Sequence, residues 1–226
     1  MRRIVRRSVC LILLVACPSL VLADEAQPTP DAALKRLKEG NARFAADETA
    51  AKNRDGKRRA ELAKGQRPFA VILTCADSRV APELIFDQGL GDLFVLRVAG
   101  NITNPDILGS IEYAVGSLKS PLVVLLGHES CGAVAAAIDG KPLEGNLGKL
   151  IERVHVGKDL PKDKGAALEA GIKANVLHHA KELRSQSKVL EEFAAGGRIQ
   201  IVAGVYALKS GRINWLEVPE DRHGTE

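Results

Sequence analysis

The sequence predicts an α/β protein whose mostly parallel central sheet has four strands plus an antiparallel edge strand, flanked by helices. Three short apolar runs, 69–74, 93–98 and 122–126, are bounded by polar loops, as is typical of buried strands. Segments with helical spacing separate these runs, and strands that alternate with helices are joined by right-handed parallel crossovers. Two later runs, 199–208 and 212–218, are separated only by a Ser-Gly turn, which indicates a hairpin at the sheet edge.

The predicted helices are placed by their apolar spacing and their terminal residues. Thr29 and Pro30 begin the first helix, because proline is favoured at the first helical position, and its apolar residues share one face as far as about Ala46. A polar stretch with two prolines, residues 24–30, precedes this helix and is predicted to be a linker. The other helices are predicted at 58–64, 82–86, 105–118, from 130 or 131 to about 138, 146–154, 166–184 and 189–195.

Composition favours one domain with no nucleic-acid partner. The chain has 226 residues, of which 46% are hydrophobic, and this is enough for a single core of ordinary size. The net charge of +4 comes entirely from residues 1–23, which contain four arginines and no acidic residue. Without those four, 28 of the 32 basic side chains remain to balance 28 acidic ones, so no basic surface for nucleic acid is predicted. The glycine-rich phosphate-binding motifs of nucleotide-binding proteins are also missing from the sequence.

Residues 1–23 have the three parts of a secretory signal peptide: a basic start, an apolar stretch and small residues before a cleavage site. Residues 21–23 fit a signal peptidase site that leaves Asp24 as the first mature residue. A competing interpretation is a lipobox ending at Cys17, which would then be lipidated, and the pair Arg6-Arg7 leaves a twin-arginine route open. The apolar stretch is too short to span a membrane, so we expect a periplasmic or secreted protein.

Two polar stretches follow predicted strands and contain the candidate metal ligands. Residues 74–80 read T-C-A-D-S-R-V, and residues 127–133 read G-H-E-S-C-G-A. Because parallel strands end at the same edge of a sheet, we expect Cys75, His128 and Cys131 to meet there. Two thiolates and an imidazole are typical zinc ligands. Three protein ligands and one open position indicate catalytic zinc, which brings the pKa of bound water to ~7.

The neighbouring residues leave two questions open. Asp77 lies two positions after Cys75 and can act as a fourth metal ligand, or it can pair with Arg79. The alternative for Cys75 and Cys131 is a structural disulfide, which an exported protein would permit. That alternative gives Asp77, Arg79 and His128 no purpose, so the metal site is the preferred interpretation.

The motif C-x-D-S-R-V, followed further along the chain by H-x-x-C-G, resembles that of the β-class carbonic anhydrases. The collinear resemblance extends from about Ala33 to Val218 and includes residues 86–92 and 97–101. It implies a single catalytic domain, residues 31–226, that uses one Zn²⁺ per chain to hydrate carbon dioxide reversibly to bicarbonate and a proton through a zinc-bound hydroxide. It also implies a homodimer or higher even oligomer, in which the N-terminal helices pack across a neighbouring subunit.

The same resemblance implies roles for residues around the metal. Asp77 would accept a hydrogen bond from the zinc-bound hydroxide, would bind the metal in a closed state, and would otherwise pair with Arg79. Gln66, Phe94 and Tyr113 match the positions that surround the substrate, and Gln66 would donate a hydrogen bond to a substrate oxygen. The alternative for Phe94 and Tyr113 is ordinary packing in a strand and a helix.

Two other functions remain compatible with the motifs. The first is hydrolysis of a related small electrophile, such as carbon disulfide or carbonyl sulfide, on the same scaffold. The second is a non-catalytic, zinc-stabilised oligomer with a permanently closed site, which would not need Arg79, Gln66 or Tyr113. The remaining histidines are expected to be solvated or packed, without a metal role, and they are His155, His178, His179 and His223.

Overall fold

The computed structural model describes residues 27–219. The predicted signal peptide, both of its alternative processing sites and His223 lie outside the described residues. The helices are α1 Pro30–Ala45, α2 Gly56–Leu62, α3 Pro82–Ile85, α4 Pro105–Gly116, α5 Gly132–Asp139, α6 Gly145–Ile151, α7 Lys164–Ser185 and α8 Lys188–Ala195. The strands are β1 Ala70–Thr74, β2 Leu93–Arg97, β3 Leu122–His128, β4 Gln200–Tyr206 and β5 Ile213–Leu216. None of the helices within 27–219 is both long and apolar enough to cross a membrane.

The five strands form one sheet in the order β2-β1-β3-β4-β5. The first four run parallel, and β5 pairs antiparallel with β4, so the predicted fold class is confirmed. In the pairing of β1 with β3, Thr74 lies opposite Leu126. The carboxyl ends of these two strands are therefore neighbours, which brings the two motif loops to the same edge of the sheet.

Helices cover both faces of the sheet, because alternate strand residues point to opposite sides. In β1, Val71 and Leu73 belong to a core with α4, α7 and α8, whereas Ile72 belongs to a second core with α1 and α3. Each of these side chains is fully buried, and burial of such a side chain stabilises the fold by about 1.5–3 kcal/mol. The two cores pack on opposite faces of the sheet and so fix the positions of its strand ends.

A few element boundaries differ from the prediction, and local capping explains two of them. Helix α2 begins at Gly56 rather than Arg58, because the Asp55 carboxylate accepts a 2.9 Å hydrogen bond from the Arg58 amide as its N-cap. Helix α5 begins at Gly132 rather than at 130 or 131, since Ser130 has a left-handed φ of 54° and Cys131 is the N-cap with an extended backbone.

Candidate metal centre

Three potential ligands converge at the neighbouring ends of β1 and β3. Cys75 directly follows β1, His128 is the last residue of β3, and Cys131 occupies the N-cap of α5. One ligand atom from each lies within 4.8 Å of the others. All three residues are at most 5% exposed, and both cysteines are free thiols, so the alternative of a disulfide is wrong.

Close packing and backbone geometry hold this arrangement. The Thr74 hydroxyl donates a 2.7 Å hydrogen bond to the Leu126 carbonyl and so fixes β1 against β3 just before the motif loops. Gly127 packs against α7 so closely that a Cβ there would lie 2.4 Å from Val176 Cγ2, and only glycine fits. The left-handed turn at Ser130 then reverses the chain and returns Cys131 towards His128.

The ring of His128 is oriented with a free nitrogen lone pair inside the cluster. Its Nδ1 lies 2.8 Å from the Glu129 carbonyl, which can only accept, so Nδ1 carries the proton. The unprotonated Nε2 is buried and has no hydrogen-bond partner. A backbone carbonyl that fixes the tautomer in this way is the usual support of a metal-binding histidine.

The two thiols are electrostatically unequal. The Cys131 thiol donates a hydrogen bond to the Cys75 sulfur, and this lowers the pKa of Cys75 despite the opposing effect of burial. The same hydrogen bond, together with burial, raises the pKa of Cys131. The Gly100 amide also donates to the Cys75 sulfur at 3.4 Å. The site therefore stabilises a thiolate at Cys75 and holds the second sulfur beside it.

These residues fit a zinc ion. Two sulfurs and one unpartnered imidazole nitrogen are zinc donors, and a buried lone pair without a partner costs free energy unless a ligand satisfies it. Cys75, His128 and Cys131 would hold the ion.

The Asp77 carboxylate lies beside this cluster and is held there by an ion pair with Arg79. Arg79 Nε donates to Asp77 Oδ1 at 2.9 Å, and Arg79 Nη2 donates to Asp77 Oδ2 at 2.7 Å, which is a bidentate pair. The hydrogen bonds from Arg79 keep the pKa of Asp77 well below its usual range. Asp77 Oδ2 lies 3.8 Å from His128 Nε2, so the carboxylate is beside the candidate metal position.

Arg97 is a further residue of the site that the sequence argument did not single out. Its Nε donates to the Cys75 carbonyl at 3.2 Å, and its Nη2 donates to the Asp77 carbonyl at 2.7 Å. It therefore holds the backbone of the loop that presents both side chains. The signal available in the sequence was its position at the end of β2, the strand next to β1.

The predicted substrate residues lie in two places. Phe94 packs against the core that contains Cys75 and Cys131. The rings of Phe94 and Tyr113 pack with centroids 6.2 Å apart, and Tyr113 is 50% exposed. Gln66 lines a separate pocket of about 500 Å³ beside Arg58 and Phe69, and none of the three candidate ligands lines that pocket.

The comparisons with known proteins agree with this geometry. Residues 70–213 match the family model described as carbonic anhydrase. The chain is 46% identical over 188 residues to carbonic anhydrase 2 of Mycobacterium tuberculosis, with 81% of this chain and 91% of that protein covered. It is 43% identical over 189 residues to the carbonic anhydrase of Mycolicibacterium smegmatis, with 81% and 92% covered.

Solved structures identify the class. The β-carbonic anhydrase of Aspergillus fumigatus superposes with a TM-score of 0.67 at 28% identity, covering 84% of this chain and 91% of that one. A Coccomyxa β-carbonic anhydrase in complex with acetazolamide gives a TM-score of 0.66 at 28% identity, with 81% and 86% covered. With these similarities and a Cys-His-Cys cluster at the carboxyl end of its mostly parallel sheet, the chain belongs to the β-class carbonic anhydrase family.

Proposed function

We propose that Cys75, His128 and Cys131 hold one zinc ion per chain and that Asp77 and Arg79 arrange the reacting groups beside it. The function is the zinc-dependent, reversible hydration of carbon dioxide to bicarbonate and a proton. Zinc, when bound, supplies a Lewis acid that lowers the pKa of water to ~7 and so provides a nucleophile at neutral pH. The single observation that carries this proposal is the buried, unpartnered Nε2 of His128 within the same cluster as two free sulfurs.

Asp77 orients the attacking water in this proposal. Its low pKa keeps the carboxylate ionised at neutral pH, so it accepts hydrogen bonds and donates none. Oδ2 is close to the ligand cluster, at 3.8 Å from His128 Nε2. A water that donates a hydrogen bond to Oδ2 is therefore held in one orientation, with its lone pair directed away from the carboxylate. Arg97 fixes the loop backbone at Cys75 and Asp77, which keeps the acceptor at a constant distance from the ligand.

Arg79 keeps the carboxylate of Asp77 available for this role. The guanidinium takes up one lone pair of each carboxylate oxygen and fixes the orientation of the carboxylate, so binding of either oxygen to a metal would require the ion pair to shift. The pairing is the arrangement expected of a catalytic site with an open position, and it favours an enzyme over a closed, purely structural zinc site. Half of the Arg79 side chain is exposed, so the guanidinium can move away without disturbing the core.

Chelation tests the proposal directly. Removal of zinc from the purified protein should abolish carbon dioxide hydration measured by stopped flow, and stoichiometric zinc should restore it. Because the three ligands lie at the ends of β1 and β3 and at the N-cap of α5, outside the helices themselves, the far-UV circular dichroism of the protein should change little during this cycle. Hydration that persists after complete removal of zinc would contradict the assignment.

We also propose that the active form is a dimer or a multiple of one. Large apolar side chains are exposed at Leu84, Leu90 and Tyr113, and a tetrameric β-carbonic anhydrase from Sordaria macrospora is similar, with a TM-score of 0.64 and 26% identity. Gln66 can contribute to a substrate pocket if a second copy places it there. Sedimentation of an active monomer at micromolar concentration would contradict the proposal.

Export is a further proposal, based on the basic and apolar pattern of residues 1–23. Mature protein in the periplasm should begin at Asp24, and intact-mass analysis of membrane and soluble fractions would establish this. A diacylated species that begins at Cys17 would instead support the lipobox.

A further inference from the structure

Helix α7 contains a second cluster of metal-binding side chains, away from the two motif loops. His178, His179 and Glu182 each place one ligand atom within 4.8 Å of the other two. His178 Nε2 lies 3.5 Å from Glu182 Oε1, and His179 Nδ1 lies 2.8 Å from Glu182 Oε2. The sequence analysis expected these histidines to be solvated or packed. The structure instead brings them together around one carboxylate.

Helix geometry explains the convergence. Neighbouring residues of a helix diverge, but residues three and four positions further along lie on the same face. Glu182 is three residues after His179 and four after His178, so one carboxylate oxygen meets each imidazole. This spacing was the sequence signal for the cluster. The three side chains open into a pocket of about 320 Å³ that Thr103, Glu152 and His155 also line.

The contacts of His179 leave it unsatisfied in either neutral form. Its Nδ1 lies 3.3 Å from the Thr103 amide nitrogen, 2.9 Å from the Thr103 hydroxyl and 2.8 Å from Glu182 Oε2, and its buried Nε2 has no hydrogen-bond partner. If Nδ1 carries the proton, the Thr103 amide faces another donor and Nε2 is an orphan lone pair. If Nε2 carries it, two acceptors meet at 2.8 Å.

A cation would remove the repulsion between Nδ1 and Glu182 Oε2 that arises when Nε2 carries the proton. Placed beside Nδ1 and Oε2, it would attract both lone pairs, and the proton of the ring would stay on Nε2. Two ligand atoms 2.8 Å apart are close enough to share one ion at the usual metal–nitrogen and metal–oxygen distances of about 2.0–2.2 Å.

The surroundings also restrict the ligand side chains. The Thr103 hydroxyl donates a hydrogen bond to Glu182 Oε2. The ring of His155 stacks on His178 with centroids 4.0 Å apart and an interplanar angle of 13°, which restricts the rotation of His178.

We propose that His178, His179 and Glu182 form a second metal site, which binds a divalent transition-metal ion through nitrogen and oxygen. Imidazole and carboxylate donors without a thiolate suit Zn²⁺, Ni²⁺ and Cu²⁺. With three protein donors from a single helix and an open pocket beside them, the ion exchanges with solvent, whereas the ion at Cys75, His128 and Cys131 is enclosed. The inference does not depend on the carbonic anhydrase reaction.

Nickel provides a probe that is distinguishable from the zinc of the first site. Untagged, zinc-loaded protein is dialysed against micromolar Ni²⁺, and both metals are counted per chain by plasma mass spectrometry. The same measurement is made on His178→Gln and Glu182→Gln. Glu169→Gln is the matched control, because Glu169 is a carboxylate on the same helix that pairs only with Lys173 among the contacts described.

The expected result is one zinc and one nickel per chain in the wild type and in Glu169→Gln. His178→Gln and Glu182→Gln should keep their zinc and bind nickel at least about tenfold more weakly, since changing even a residue behind a metal ligand costs that much. X-ray absorption at the nickel edge should show nitrogen and oxygen neighbours only. Substoichiometric nickel in the wild type, unchanged nickel in Glu182→Gln, or sulfur bound to nickel would each overturn the proposal.

Discussion

Replacement of Arg79 by alanine should keep zinc in the protein and remove most of its carbon dioxide hydration. The guanidinium makes two side-chain hydrogen bonds to Asp77, at 2.9 and 2.7 Å, and a third at 3.3 Å to the Ser130 carbonyl. Without it, nothing else described in residues 27–219 restrains the carboxylate oxygens except the Arg79 backbone amide. The freed carboxylate is expected to bind the metal and occupy the position that water needs.

The required movement is small. Asp77 Oδ2 lies 3.8 Å from His128 Nε2. A nitrogen and an oxygen that bind one tetrahedral zinc at about 2.1 Å lie roughly 3.4 Å apart, so a shift of about 0.4 Å brings Oδ2 to a ligand's distance from that nitrogen. Asp77→Asn removes the anionic acceptor instead. A hydrogen bond to a charged group contributes about 1.5–3 kcal/mol, which corresponds to a loss of roughly ten- to a hundredfold in rate.

A double-variant cycle separates these two effects. If the loss in Arg79→Ala comes from metal binding by Asp77, then Arg79→Ala/Asp77→Asn should recover to the level of Asp77→Asn alone, because the blocking carboxylate is gone. Arg79→Lys is the control that keeps the charge and loses the bidentate geometry, so it should lie between the wild type and Arg79→Ala. Stopped-flow hydration and zinc content are measured for all four variants. Near-normal turnover in Arg79→Ala, or additive losses in the double variant, would refute the reasoning.

Two further predictions concern the support of the site and the stability of the fold. Gly127→Ala places a methyl group 2.4 Å from Val176 Cγ2, so it should weaken zinc retention and lower the unfolding free energy by about 1–3 kcal/mol. Zinc retention is measured by chelator competition, and the unfolding free energy by urea titration. Gly132→Ala is the control, because its new Cβ meets nothing within 4 Å, and it should leave zinc retention and unfolding free energy unchanged within error. Asp87 is buried, which raises its pKa, but the amides of Ala50 and Ala51 and the Arg43 guanidinium outweigh burial and lower it. Because the folded-state pKa is depressed, the stabilisation is present above the unfolded value of about 3.9 and is lost as the pH falls below it. Asp87→Asn should therefore cost roughly 1.5–3 kcal/mol in urea unfolding at pH 7 and progressively less below about pH 4, and an equal cost at both extremes would contradict this.

The mostly parallel sheet with its antiparallel edge strand and the candidate metal ligands were predictable because they depend on local patterns. Short apolar runs identified β1 and β3, and parallel pairing required Cys75 and His128 to lie at the same edge. The resemblance supplied the roles of Asp77 and Arg79. The sequence left Asp77 either as a fourth metal ligand or as the partner of Arg79, and the structure shows the pair with Arg79.

Contacts between distant segments were not predictable from the sequence. Asn175, in the middle of α7, donates to the Gly100 carbonyl at 2.7 Å and accepts from the His155 amide at 3.0 Å. Gly100 also donates to the Cys75 sulfur, so one buried amide links the surroundings of Cys75 to His155, which stacks on His178. Apolar spacing indicates that α7 packs on the sheet, but it does not indicate which polar group an asparagine meets there.

The dependence of hydration on Cys75 tests the central claim most directly. Zinc per chain and the stopped-flow rate of carbon dioxide hydration are measured on the same preparations of wild type and Cys75→Ser. The account predicts one zinc at the sulfur-containing site and rapid hydration in the wild type, with zinc and activity lost together in Cys75→Ser while the circular dichroism remains that of an α/β fold. Full hydration activity in a Cys75→Ser protein, or a zinc-loaded wild type that does not hydrate carbon dioxide, would contradict it.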